Sequence, residues 1–365
     1  MNEFIYSMPT KIIAGRNCLV KNSKMLRKYG TQCLIVTGFK SSKLNGSLED
    51  SILALENENI KFTIFDKVEE NPSLETIEKA YRDNLDKNID FILAVGGGSA
   101  IDAAKAMAIL FKNQISAKEI LSLKDLEGIP VIAVPTTAGT GSETTPYSIL
   151  TLHEEGTKRN IGQSIFPQIA FLDARYTLNM PYTITTSTAA DVFTHLTEGY
   201  LNTNANLISD TLAEKGLQLF GECLNSLRLK DCSIEVREKL LLASSLAGMV
   251  ISQTGTGLPH SMGYPLTYEK GLPHGIANAI LYPGYLRIFK NTEKLQKLLA
   301  LIRVDSIDAL SEALIEILDF HISLTDKEIK KYVEGILSNE KKLKNHPERV
   351  TRDDLVFIYK SILKK

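Results

Sequence analysis

Five short apolar runs punctuate the first half of this chain: Leu34 to Thr37, Phe62 to Phe65, Phe91 to Val95, Val131 to Val134 and Ile169 to Leu172. Between them lie stretches of helical periodicity such as Leu48 to Glu58 and Leu74 to Leu85. Strand-like runs alternating with helices read as βαβ units around a mainly parallel sheet. After about Pro181 the pattern changes. Ala189 to Tyr200, Asp210 to Asn225, Ile234 to Ile251 and Leu295 to Arg303 are helical in period, and apolar β-runs vanish. The sequence therefore predicts an α/β domain over residues 1–181 and an all-α domain over 182–365, with the seam at Met180 and Pro181 before a Thr/Ser-rich stretch.

At 365 residues the chain exceeds the size at which one hydrophobic core stops growing, which agrees with two domains. A net charge of -1 gives no electrostatic reason to expect nucleic acid or an anionic membrane as partner. The one local basic run, Lys341, Lys342, Lys344 and Arg349, is mixed with Glu340, Glu348 and Asp353 and reads as a solvated helix end. Cys18, Cys33, Cys223 and Cys232 show no CxxC spacing and are expected to be reduced. The opening residues lack the pattern of a secretory signal, no apolar stretch approaches the ~20 residues of a membrane span, and the expected place is the cytoplasm.

Two loops carry chemistry. Phe91 to Val95 runs into Gly96-Gly97-Gly98-Ser99 and then a helical segment with Asp102 and Lys105. Glycines let a backbone approach a ligand closely, and free N–H groups at a helix start favour a phosphate. The same three glycines also suit a plain tight turn. The second loop, Pro135 to Ser142, offers the hydroxyls of Thr136, Thr137, Thr140 and Ser142 with two glycines. Hydroxyls and amides at the carboxyl edge of a parallel sheet suit a ribose-phosphate ligand.

Asp191 and His195 are four residues apart, which places both on one face of a helix, with Thr185, Thr186, Ser187 and Thr188 before them as possible N-caps. Such a pair alone also fits a surface hydrogen bond. His260 and His274, each following a Leu-Pro pair, change the weighing because three of the chain's six histidines now fall in one pattern. One carboxylate with three imidazoles fits Fe(II) or Zn(II) and leaves a coordination position open for substrate. His153, His321 and His346 lie in polar contexts and are expected at the surface.

Taken together, Met8 to Gly15, Asn71-Pro72, Gly96 to Lys105, Pro135 to Glu143, Asp191 to Tyr200 and Pro273 to Asn278 resemble the iron-containing (group III) alcohol dehydrogenase family nearly end to end. The shorter bacterial 1,3-propanediol or butanol dehydrogenases are the most similar members. The resemblance implies a dehydroquinate synthase-like fold with a dinucleotide-binding α/β domain and a helical metal-binding domain. It also implies a homodimer or higher homo-oligomer acting on small alcohols or aldehydes. Asp191, His195, His260 and His274 match the family's metal ligands, with Fe2+ the expected ion and Zn2+ the alternative. Gly97, Gly98, Ser99 and Asp102 match its pyrophosphate and nicotinamide-side loop. Thr136, Thr137, Ser142, Lys158 and Leu178 match positions that line the nicotinamide, ribose or adenine, and Asn71 matches a polar residue near the cofactor. A dehydroquinate-synthase-like or glycerol-dehydrogenase-like enzyme is the rival on the same fold.

Two features are this chain's own. Many relatives carry a further histidine four residues after the third ligand, whereas this chain has Tyr264. A phenol with pKa ~10 donates a hydrogen bond but is a poor proton shuttle near neutrality. After the first apolar run, NAD-preferring relatives place an Asp that repels a 2'-phosphate, and here Gly38 stands, followed by Phe39, Lys40, Ser41, Ser42 and Lys43. Lost repulsion, hydroxyls and lysines predict a preference for NADP(H) over NAD(H).

Overall fold

The computed structural model describes residues 3–338 and 343–363. Glu340, Lys341 and Lys342 of the mixed-charge run therefore lie outside the described residues. Two compact units emerge, one of residues 8–137 and 141–179, the other of the described residues up to Ser7, Ala138–Thr140 and those from Met180 onward.

The strands of the first unit are β1 (Lys11–Ala14), β2 (Gln32–Gly38), β3 (Lys61–Val68), β4 (Phe91–Gly96), β5 (Val131–Pro135), β6 (Ile149–Leu152), β7 (Thr157–Asn160) and β8 (Ile169–Leu172). Six of them form one sheet in the order β1-β8-β5-β4-β2-β3, with every pairing parallel. Its connections include α1 (Cys18–Lys21), α2 (Ser41–Leu44), α3 (Ser47–Glu56), α4 (Leu74–Arg82) and α5 (Gly98–Asn113). The apolar runs split by period two: Leu34, Val36, Ile92, Ala94 and Ala133 enter one core with Ile101, Ala104 and Met107 of α5. Cys33, Ile35, Phe91, Leu93, Val95, Ile132 and Val134 enter another with Ala54 and Leu55 of α3. A sheet buried on both faces is what makes these strands readable as unbroken apolar runs.

Three strands escape that signal. β1 exposes Lys11 and Ala14 and is held by its pairing with β8. The antiparallel hairpin of β6 and β7 is partly polar, with Lys158 opposite Thr151.

The second unit is helical: α6 (Tyr182–Tyr200), α7 (Leu207–Arg228), α8 (Ile234–Thr254), α9 (Leu258–Lys270), α10 (His274–Ala279), α11 (Tyr282–Arg287), α12 (Glu293–Leu301), α13 (Ile307–Ile317), α14 (Asp326–Leu337) and α15 (Arg352–Lys360). α6 is the central element, buried along most of its length and packed by α7, α8 and α10. Reciprocal capping at Asn206/Ser209, Thr325/Glu328 and Thr351/Asp354 starts α7, α14 and α15. No described helix is long and apolar enough to cross a membrane.

Two expectations need correction. Thr185, Thr186 and Thr188 do not cap the ligand helix, because α6 begins at Tyr182 behind Pro181. Their hydroxyls bond back to Pro181 O, Thr183 O and Ile184 O, an arrangement open to Thr inside a helix. His346 is buried rather than at the surface: its ring lies against Phe289 and Tyr285, and its Nδ1 is 2.9 Å from Glu348 O.

Candidate active site

α6 carries Asp191 and His195 one turn apart, both buried. His260 sits in the first turn of α9 and is 2% exposed, and His274 is the first residue of α10. Asp191 Oδ2 lies 3.9 Å from His195 Nδ1, and Asp191 Oδ1 lies 3.8 Å from His260 Nε2. The His195 and His260 rings stack at 4.5 Å between centroids, and His274 meets His260 edge-on at 5.2 Å. One donor atom from each of Asp191, His195 and His260 lies within 4.8 Å of the others. His274 borders this trio, with its Nε2 3.2 Å from Asn278 Nδ2.

Asp191 Oδ1, His195 Nδ1 and both ring nitrogens of His260 are buried without a hydrogen-bond partner. Clustered dry polar atoms are unfavourable when left unpaired. A divalent cation would satisfy one donor from each of the three residues, because carboxylate oxygen and imidazole nitrogen are the donors that Fe(II) and Zn(II) accept. The electrostatics point the same way: burial would raise the Asp191 carboxyl, yet His195, His274 and His260 hold it below its ordinary value. Burial lowers His195, leaving a neutral imidazole with a lone pair to offer, despite the opposing pull of Asp191.

Tyr264 stands one turn after His260 on α9, 39% exposed, with its ring stacked on His274 at 5.9 Å. Burial, then Glu198 and Asp191, push its phenol up, so it stays protonated. Glu198 was not anticipated. Its buried carboxylate accepts the backbone N–H groups of Gly257 and His260, and Oε1 lies 2.9 Å from His260 Nδ1. The spacing held the clue, since positions 191, 195 and 198 share one helical face.

In the α/β unit, β4 runs into Gly97, which caps α5 without a side-chain bond and leaves the opening N–H groups of Gly98 and Ser99 at the helix start. A Cβ on Gly97 would approach Thr137 Oγ1 to 3.0 Å, so the glycine lets the two loops pass closely. Thr136 N donates to Gly96 O, tying the second loop to the first. Asn71, at φ 59°, donates its N–H to Ser99 Oγ at 3.3 Å, and its carbonyl accepts Thr151 Oγ1. All of this lies at the carboxyl ends of β4 and β5, beside the point where strand order reverses around β2, the usual ligand edge of such sheets.

Asp102 holds the Ser142 hydroxyl and accepts Ile149 N–H at 2.9 Å, and burial raises its carboxyl against the pull of Lys105. Lys105 is fully buried beneath them, with Nζ 2.7 Å from both Ser142 O and Tyr147 O and 2.9 Å from Ser142 Oγ. Lys158 is half-buried on β7, and burial lowers its ammonium. Leu178 is 45% exposed. Thr140 is exposed and belongs with Ala138 and Gly139 to the helical unit, where Gly139 faces Thr188 of α6.

The adenosine-side residues are only partly available. Gly38 closes β2, and a Cβ there would meet only Val68 O at an ordinary 3.4 Å, so its backbone does not demand glycine. Lys40 and Ser41 are exposed. Ser42 is not available as a cofactor contact: its side chain is buried and its hydroxyl accepts from Thr37 at 2.6 Å. Lys43 is already paired with Asp66 at 2.5 Å.

Comparison with known proteins bears on the whole chain. Residues 9–174 match the family model "Iron-containing alcohol dehydrogenase", and residues 185–363 match "Fe-containing alcohol dehydrogenase family, C-terminal". The 1-propanol dehydrogenase PduQ of Citrobacter freundii is 32% identical over 278 residues, covering 76% of this chain and 71% of that protein. Aldehyde-alcohol dehydrogenase 2 of Entamoeba histolytica is 34% identical over 261 residues, which is 68% of this chain but spans only 30% of that protein. The crystal structure of an iron-containing alcohol dehydrogenase from Thermotoga maritima superposes with a TM-score of 0.90 at 38% identity over 99% of both chains.

Proposed function

The chain belongs to the iron-containing alcohol dehydrogenase family, a family of oxidoreductases acting on CH–OH groups, and from that premise we propose that it interconverts a short-chain primary alcohol or diol and its aldehyde using NADP(H). The observation that carries the proposal is the buried Asp191, His195 and His260 trio, whose donor atoms have no hydrogen bonds to occupy them. The 1-propanol dehydrogenase relative supports the substrate class.

A divalent ion, Fe2+ as first choice, held by Asp191, His195, His260 and His274 would supply a Lewis acid that acidifies an alcohol hydroxyl or polarises an aldehyde carbonyl. Asp191 supplies the anionic donor, and the imidazoles of His195, His260 and His274 supply nitrogen lone pairs. Tyr264 keeps its proton and donates a hydrogen bond toward the substrate oxygen, so the mobile proton leaves to solvent rather than through this phenol. Gly97, Gly98 and Ser99 present backbone N–H groups to a pyrophosphate, with Asn71 steadying Ser99. Asp102 and Lys105 fix Ser142, while Thr136, Thr137 and Lys158 offer polar contacts to the sugar and nicotinamide ends. Leu178 offers an apolar face to adenine. A screen of short aldehydes with iron-loaded protein tests the whole reading, which fails if none is reduced.

Cofactor choice follows from Gly38. With no carboxylate there, and with Lys40 and Ser41 exposed, a 2'-phosphate meets partners instead of repulsion. The expected kcat/KM is higher with NADPH than with NADH. Gly38→Asp, for which the backbone has room, should reverse the ratio by roughly tenfold or more through like-charge repulsion. Equal efficiency with both dinucleotides in the parent enzyme ends the preference.

Lys105 gives a pH signature. Burial pushes its ammonium down to about 8 against Asp102 and Glu143. An unfolded lysine keeps its proton to ~10.4, so between these values the unfolded chain binds the extra proton and this group's contribution to stability rises with pH. The neutral amine, however, has one donor fewer for Ser142 O, Ser142 Oγ and Tyr147 O. Above pH 8 the KM for the dinucleotide should therefore rise while the folded state is not weakened by this lysine. Lys105→Met should remove that inflection from the KM profile.

A further inference from the structure

We propose that Glu198 is a positioning residue that sets the tautomer and aim of His260, so that the Nε2 of this imidazole is the nitrogen offered to the ligand set. The inference rests on the metal-site reading above. Glu198 leaves α6 one turn beyond His195 and reaches the start of α9, which has no side-chain cap of its own. Its carboxylate is fully buried. Oε2 accepts the Gly257 N–H at 2.5 Å, and Oε1 accepts the His260 N–H at 2.9 Å. The same Oε1 is 2.9 Å from His260 Nδ1, a close approach whose angle is not that of a hydrogen bond.

An ionised carboxylate only accepts, so a neutral His260 stable beside it carries its proton on Nδ1. The lone pair then lies on Nε2, 3.8 Å from Asp191 Oδ1; neither ring nitrogen has a hydrogen-bond partner, and it is Nδ1 that has a carboxylate oxygen at 2.9 Å. The opposite tautomer would set an imidazole lone pair against a carboxylate in a dry site, which nothing here compensates. The opening N–H groups of α9 meanwhile stabilise the Glu198 charge, as a helix N-terminus does for an anion. One rigid helix thus carries two ligands and the group that orients a third on another helix. Carboxylate partners behind a ligating histidine fix its ring and raise its basicity.

The test uses the full-length chain and cobalt(II), with affinity read by chelator competition and geometry by the visible absorption of the bound ion. Glu198→Gln keeps the size and one capping acceptor but removes the anion facing Nδ1. The expected result is cobalt affinity lower by roughly 10- to 100-fold and a shifted cobalt band, with NADPH fluorescence titration unchanged. In a His260→Ala background the same substitution should change cobalt affinity by no more than about twofold, because the path through His260 is gone. Parent affinity and spectrum in Glu198→Gln, or an equal loss in the His260→Ala background, overturns the proposal and leaves Glu198 as a helix cap. If Glu198→Gln does not fold, Glu198→Met takes its place, which also removes the anion, and parent affinity there overturns the proposal equally. A parent chain that binds no cobalt overturns the metal-site reading itself, and this inference with it.

Discussion

His260→Ala is expected to lose bound metal and turnover together, with metal affinity falling by more than the roughly 100-fold that outer partners of a metal site command. The reason is visible in the burial. His260 is 2% exposed, and the site around it is closed by Asp191 and His195, so no water-rich surface stands ready to supply a substitute ligand. Removing the ring also takes away the imidazole 2.9 Å from Glu198, whose carboxylate keeps its two backbone donors. The cavity left by a buried ring destabilises the fold as well. Anaerobic purification followed by elemental analysis, a short-aldehyde assay and a thermal melt reads all three effects. A His260→Ala protein with full metal content and full activity would remove the trio from the reaction.

What the sequence made legible was whatever left a repeating trace. β2, β4, β5 and β8 were readable because burial on both sheet faces favours apolar residues along them, while the edge strand β3 showed only its Phe62 to Phe65 run, and β1 and the β6–β7 hairpin carry charge and hydroxyls and left none. Asp191, His195 and His260 lie close together; helical period accounts for the first two sharing a face of α6, while His260 arrives from α9 through tertiary packing. Glu198 and Lys105 were harder to see. A carboxylate or ammonium at helical spacing is ordinarily solvated, and only tertiary packing reveals that these two are buried and fully engaged. Ser42 shows the converse failure. Beside the exposed Ser41 it looked like a phosphate partner, but α2 turns it inward onto Thr37.

Gly275→Ala is expected to be nearly as damaging as loss of a ligand, although it adds only a methyl group outside the donor set. Gly275 is the second residue of α10, directly after His274, and a Cβ there would stand 2.0 Å from Ser187 O and 3.0 Å from Asp191 Cβ. The first of these is backbone of α6, which no rotamer change can move aside. To restore ordinary contact the two helices must part by about an ångström or more, and packed interiors do not deform that far without consequence. Overpacking of this kind costs about 1–3 kcal/mol and occasionally more, and a backbone collision belongs at the upper end. The separation would carry His274 away from His260 and Asp191, so the variant should lose metal affinity together with stability. Urea unfolding with cobalt titration of the same preparation measures both. Parent values in the two experiments would mean that α10 does not need this close approach to seat His274.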